Sequence, residues 1–296
     1  TGHNCAAIWS DPDGDGPEKI ELSWLPSVEV KPVNPKGDPL LGKKITDTET
    51  GELCAKAIYS APKEQVFELL WALVNGYDDW IGVTELRAKK LDAEFALAAA
   101  QNLKNCSEAK KRIAEAISLL EANEDAFTSF RLANQAMFIQ SAWAKGHSDH
   151  EEPSAHRLIW RPFQLAFALM TIPSIVHREH PDRKVFDLVW FPTGGGKTEA
   201  YLLSAAFTLF HRRLTNPSDL ASGLSVIMRY TLRTLTVQQF QRAASMVTAC
   251  EFIRRSEKHK ELGNERFSIG LWVGDKTSPN KLKNAIDALH DPYSIS

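Results

Sequence analysis

Val185-Phe-Asp-Leu-Val-Trp-Phe191, followed by Pro192-Thr-Gly-Gly-Gly-Lys-Thr198, is the stretch on which the reading of the chain turns. A short apolar run that gives way to three glycines reads as a buried strand entering a turn. Gly194, Gly195 and Gly196 let the backbone turn tightly and bring successive N–H groups to one anion. Lys197 can reach β/γ-phosphates as a point charge, and the Thr198 hydroxyl can ligate the accompanying Mg²⁺. Residues 199–214 then read as a helix whose N-terminus adds positive potential to the same place. The pattern predicts an ATP–Mg²⁺ site formed by Thr193, Gly194, Gly195, Gly196, Lys197, Thr198 and Glu199. Lys197 and Thr198 take the catalytic roles, and Thr198 is the metal ligand. A Gly-rich turn that binds nothing is the plain alternative.

Working outward, 296 residues with 43% hydrophobic content suffice for one large or two ordinary domains with a buried core. No window of 18 consecutive apolar residues occurs, so no membrane-spanning helix is expected. Starting at Thr1 with no signal-peptide pattern, the chain reads as processed or as a piece of something longer. Cys5, Cys54, Cys106 and Cys250 lie far apart without CxxC spacing, which predicts free thiols in a reducing cytoplasm. Residues 1–160 carry 17 Lys and Arg against 25 Asp and Glu, a net −8. Residues 161–296 carry 18 against 12, a net +6. The basic half holds the glycine run, in keeping with a nucleotide and nucleic-acid surface or with an ordinary solvated face.

Residues 1–60 read as short strands and turns, with alternation at Ile20–Trp24 and Val28–Pro32. Asp11-Pro-Asp-Gly-Asp-Gly16 resembles the start of a calcium loop, but position 22 is Leu and two prolines intervene, so a plain acidic turn is expected. Residues 61–145 read as a helical region: Val66, Leu69, Leu70, Leu73 and Val74 share a face, and further helices are expected over 84–104, 107–122 and 124–144. Residues 146–156 read as a linker, whose His147, His150 and His156 suit a solvated loop better than a metal. From 157 to 296 helix and strand alternate: helix 161–172, strand 185–191, helix 199–214, strand 224–229, helix 236–257, strand 268–273. That alternation predicts an α/β lobe with a parallel sheet covered by helices on both faces, with ligands at the strands' carboxyl ends.

Three further segments carry candidate contacts. In Trp160-Arg-Pro-Phe-Gln164 the Gln164 amide offers a donor and an acceptor suited to an adenine edge, and Arg161 a charged contact. A helix start with Pro162 in its first turn is the alternative. In Tyr230-Thr-Leu-Arg-Thr-Leu-Thr-Val-Gln-Gln-Phe-Gln-Arg242, Thr231, Arg233, Thr234 and Gln238 can contact phosphates without reading sequence. A capped, solvated helix start is the alternative there. Ser268–Asn280 ends a predicted strand at Gly274 and adds Lys276.

The strict phosphate-loop pattern asks for Gly at position 191, where this chain has Phe191, which argues against a small GTPase or nucleotide kinase. Pro-Thr-Gly-x-Gly-Lys-Thr is instead the helicase form. With a glutamine element before it and an Arg-Gln element and glycine turn after it, the chain resembles the first RecA-like lobe of a superfamily-two helicase. More closely, Leu188–Tyr201, Met228–Ala243, Ile269–Gly274 and Ser278–Lys281 resemble the DrmA family of helicases from DISARM anti-phage defence systems, over roughly residues 124–285. The resemblance implies a bacterial origin, ATP-driven helicase or translocase action on DNA, and a DrmB-like protein partner. No Asp-Glu dipeptide occurs anywhere in the chain, whereas hydrolysis on such a lobe needs a carboxylate pair for Mg²⁺ and water. The 296 residues by themselves are therefore expected to bind ATP without turning it over, as part of a larger helicase. A nucleotide-gated scaffold without motor activity, or the motor subunit of a restriction-type enzyme, are the alternative readings.

Overall fold

The computed structural model describes residues 6–10, 16, 19–24, 39–146, 157–191, 195–216, 223–230, 233–256, 258–272 and 281–290. The chain divides into two units, Thr1–Asn34 and Pro35–Ser296. In the first, β1 (Ala6–Ser10) pairs antiparallel with β2 (Lys19–Trp24), Trp9 opposite Ile20, with a register shift between Ala6 and Ala7. Val28–Pro32 and most of the acidic turn at 11–16 lie outside the described residues.

The second unit is helical. Two short helices, α1 (Leu41–Thr46) and α2 (Ala55–Ser60), stand where the sequence reading expects strands and turns. The long helices α3 (Lys63–Ala88), α4 (Ala93–Ala122) and α5 (Glu124–Trp143) follow. The expected helix 84–104 is corrected: residues 89–92 form the turn between α3 and α4, and α4 runs unbroken across 105–106. Its run of helix formers from Ala93 to Leu103 has no breaker that would stop it. Then come α6 (Pro162–Val176), a 3-10 turn (Pro181–Lys184), α7 (Lys197–Thr215), α8 (Arg233–Arg254), a second 3-10 turn (Lys260–Leu262) and α9 (Leu282–His290).

These helices bury one continuous apolar cluster. Phe127, Phe130, Ala133 and Met137 of α5 meet Leu203, Ala206, Phe207 and Phe210 of α7, and Ala249, Cys250 and Ile253 of α8 close the other side. Trp160, 1% exposed, pins the chain that enters α6. Its backbone N–H donates to the Leu53 carbonyl at 2.8 Å and its indole N–H to Asn134 Oδ1 at 2.8 Å. Cys54 and Ile159 form an isolated antiparallel bridge beside it. Both polar groups of the ring and backbone are thus satisfied inside the core, which is the condition for burying them at low cost.

The expected parallel α/β sheet is not present. Among the described residues the β1–β2 hairpin is the only sheet, and 185–191, 224–229 and 268–272 are extended but pair neither with each other nor with any strand. The first two lie against helices through alternate residues, whereas residues 268–272 are all exposed. Val226 and Met228 pack on the core cluster, Phe267 beside the third segment is buried against Phe210, and Phe191 stacks on Phe163 of α6 at 3.8 Å. The other face is open: Phe186 is 90% exposed and Trp190 84%, and Leu188, Ile227 and Trp272 are exposed as well. Apolar alternation reports an extended segment with one buried side. Pairing with a neighbouring strand is a tertiary property that it does not encode.

One buried titratable group sits in this core. His211 of α7 stacks on Phe207 at 5.5 Å, and burial holds its imidazole below the ordinary value, opposed by the charge of Asp125. The unfolded chain, with a histidine pKa of about 6.5, therefore takes up a proton that the folded chain resists. Its contribution to stability is full above that pH and falls as pH drops through it. Urea unfolding at pH 7.5 and 5.5 is expected to show a smaller acid-induced loss of stability for His211→Leu than for the unaltered chain; an equal loss would rule this account out.

Candidate phosphate-binding turn and its supports

Residues 182–187 are held to α4 by one guanidinium. Arg112 contacts Asp187 through both carboxylate oxygens, at 2.6 and 2.9 Å, pairs with Asp182 at 2.5 Å, and donates to the Met170 carbonyl of α6 at 3.3 Å. A bidentate Arg–carboxylate pair, one-fifth exposed on each side, fixes direction as well as position. The chain that leads to the glycine run is thereby anchored before it turns.

The turn itself ends in Gly196, whose φ of +82° is left-handed, directly before α7. A Cβ there would lie 2.5 Å from Gln164 Nε2, so both the dihedral and the close approach require glycine. Gln164, buried in the first turn of α6, uses both ends of its amide within the protein. Its Oε1 accepts the Arg161 N–H at 2.9 Å, and its Nε2 donates to the Gly196 carbonyl at 2.7 Å. Arg161 donates to the Gly195 carbonyl. The two residues expected to meet a nucleotide thus hold the turn from below, and an adenine edge would have to displace the Gln164 contacts.

Lys197 Nζ donates to the Phe191 carbonyl at 2.5 Å, across the mouth of the turn. Thr198, 8% exposed, donates from its hydroxyl to Gln239 Oε1 of α8 at 3.1 Å and accepts from the Tyr201 hydroxyl at 3.0 Å. Tyr201 in turn accepts from the Tyr230 hydroxyl at 3.1 Å. Burial first, then the hydrogen bond to Tyr201, push the Tyr230 phenol well above its ordinary range, so it remains a donor. Glu199 forms an ion pair with Arg242 of α8, and its second oxygen, Oε2, is buried without a hydrogen-bond partner among the described residues.

Lys197, Thr198, Glu199, Gly195 and Gly196 are therefore brought together with Arg161 and Gln164. Thr193, Gly194, Thr231, Gly274 and Lys276 lie outside the described residues, as do the side chains of Arg233 and Thr234. Gln238 is exposed near the start of α8. Sequence reasoning missed Arg112, Tyr201, Tyr230, Gln239 and Arg242. For Gln239 and Arg242 a signal existed, since their i, i+3 spacing gives them one helix face. For Arg112 there was none, because its partner lies 75 residues away.

The architecture and the turn define a mostly helical protein in which a glycine-terminated turn and a Lys-Thr helix start are clamped between two other helices. No family model matches the chain. It is 34% identical over 294 residues to the DISARM protein DrmA of Bacillus paralicheniformis, an alignment that takes in 95% of this chain and 26% of that protein. Over nearly its whole length the chain is a DrmA homologue, and it spans about a quarter of that relative's length. Among the described residues no helix is long and apolar enough to cross a membrane, and no cluster of three His, Cys, Asp or Glu side chains could hold a metal.

Gly196→Ala is expected to cost about 1–2 kcal/mol of stability by forcing a side chain into the left-handed region. Because the new methyl would collide with Gln164, Gly196→Ala should cost less in a Gln164→Ala background than in the natural one. Denaturant midpoints of the four proteins check this, and strict additivity would show that the two residues do not meet.

Proposed function

We propose that the chain carries the nucleotide-phosphate site of a DrmA-type anti-phage defence protein that uses ATP and Mg²⁺ to translocate on or remodel DNA. The observation that carries the reading is Lys197-Thr198 at the first turn of α7, entered through a glycine that cannot be replaced without strain. The residues present fit the group. A helix start offers free N–H groups, Thr198 offers a hydroxyl, and among the described residues Lys197 is engaged by a backbone carbonyl that a phosphate would outcompete. Lys197 and the N–H groups of Gly194 to Thr198 would hold the phosphates, and Thr198 the cation. When bound, ATP with Mg²⁺ supplies the phosphoryl group and the charge neutralisation that hydrolysis requires. Gln164 and Arg161 would keep the turn in shape, and Arg161 would stand near the phosphates.

Thr231, Arg233, Thr234 and Gln238 at the start of α8, with Gly274 and Lys276, are the proposed contacts to a DNA backbone. The similarity to the DISARM protein DrmA supports the defence role, and a DrmB-like protein is the partner proposed with it. The rival reading is a nucleotide-gated scaffold that binds ATP and a protein partner without moving DNA. A restriction-type motor would be told apart by an accompanying nuclease.

The test is ATP binding and turnover by the intact natural protein, with and without single-stranded and duplex DNA. Lys197→Ala is expected to weaken Mg²⁺–ATP binding at least tenfold and to abolish DNA-stimulated hydrolysis, with its thermal midpoint within a few degrees of the natural protein. Binding without DNA-dependent turnover would move the reading to the scaffold, and equal ATP affinity in the variant would end it.

A further inference from the structure

The hydroxyls around Thr198 form a directed chain. Tyr230 donates to Tyr201, Tyr201 donates to Thr198, and Thr198 donates to Gln239 Oε1, at 3.1, 3.0 and 3.1 Å. A threonine oxygen has one proton and two lone pairs. Here Gln239 takes the proton and Tyr201 occupies one lone pair, so that among the described residues no donor is bonded to the second lone pair. Thr198 is nearly buried, so water has little access to randomise that arrangement. Next to it, the Glu199–Arg242 ion pair ties the same turn of α7 to the same face of α8, because Gln239 and Arg242 are three residues apart.

We propose that Gln239 is a positioning residue for a divalent cation at Thr198: by accepting the hydroxyl proton it turns the free lone pair of Thr198 outward, and so sets cation affinity from the neighbouring helix. The inference rests on the nucleotide reading above and adds the residue that makes Thr198 a competent ligand. It also ties the cation site to α8, the helix whose first turn carries the proposed DNA contacts, so any shift of α8 that lengthens the Thr198–Gln239 bond would weaken cation binding.

The test uses the full-length natural protein and a fluorescent ATP analogue, titrated with Mg²⁺ at fixed nucleotide and again in EDTA. Gln239→Met keeps the size and helix preference of the side chain but removes the acceptor. It is expected to raise the Mg²⁺ concentration for half-saturation about fivefold to tenfold while leaving nucleotide affinity in EDTA unchanged. Gln239→Glu, which offers only acceptor oxygens, should restore the natural Mg²⁺ dependence to within about twofold. Thermal midpoints verify that both variants fold. An unaltered Mg²⁺ titration in Gln239→Met would overturn the proposal. So would a loss of nucleotide affinity equal in Mg²⁺ and in EDTA, which is the mark of a purely structural role. If the natural protein itself binds no nucleotide, the underlying reading falls, and this one with it.

Discussion

Everything that defines the site depends on the burial of α7. Its body presents Leu202, Leu203, Ala206, Phe207 and Phe210, all at most 1% exposed, to α5, α6 and α8. Burial of a large aliphatic or aromatic side chain is worth about 1.5–3 kcal/mol, so no local rearrangement of the turn is strong enough to move this helix. Its first residues, Lys197 to Glu199, have the opposite character. They are polar: Thr198 and Glu199 meet α8 through a hydrogen bond and an ion pair, while Gly196 just before them meets Gln164 of α6. The helix is therefore a rigid post with an adaptable tip, a form in which small polar contacts decide geometry that the core has already narrowed.

The left-handed Gly196 is the consequence at the junction. Gly196, directly before α7, has the left-handed backbone that glycine adopts without strain. Gln164 then fills the space a side chain would have used. Arg112 fixes the approach from the other end, through Asp182 and Asp187. Three elements distant in sequence thus hold the residues on either side of the glycine run: α4 at Asp182 and Asp187, the start of α6 at Gly195 and Gly196, and α8 at Thr198 and Glu199.

This explains what was legible in the sequence. The Gly-Lys-Thr turn with a helix behind it could be read directly, since glycine and helix-start chemistry are local. The helices of residues 62–145 announced themselves through 3.6-residue periodicity, although the α3–α4 turn at 89–92 did not, because Lys89-Lys-Leu-Asp92 holds neither Gly nor Pro. The sheet was misread for a specific reason. Phe186, Leu188 and Trp190 alternate with Asp187, Val189 and Phe191, a pattern that suits a strand. Yet the inward members are one anchored carboxylate, Val189 and a ring stacked on α6, and the outward members are the large apolar ones. The periodicity was real and its sidedness was not deducible.

The same logic separates Gln238 from Gln239. Adjacent residues on a helix point about 100° apart, so a motif match that fixes the segment without fixing the helix phase cannot say which of two glutamines faces a neighbour. Core contacts set that phase: Ala243, Met246, Val247 and Cys250 are buried, and they orient α8 so that Gln239 and Arg242 meet α7 while Gln238 is left to solvent. An exposed Gln238 and a Gln239 bonded to Thr198 thus stand side by side on consecutive residues of one helix.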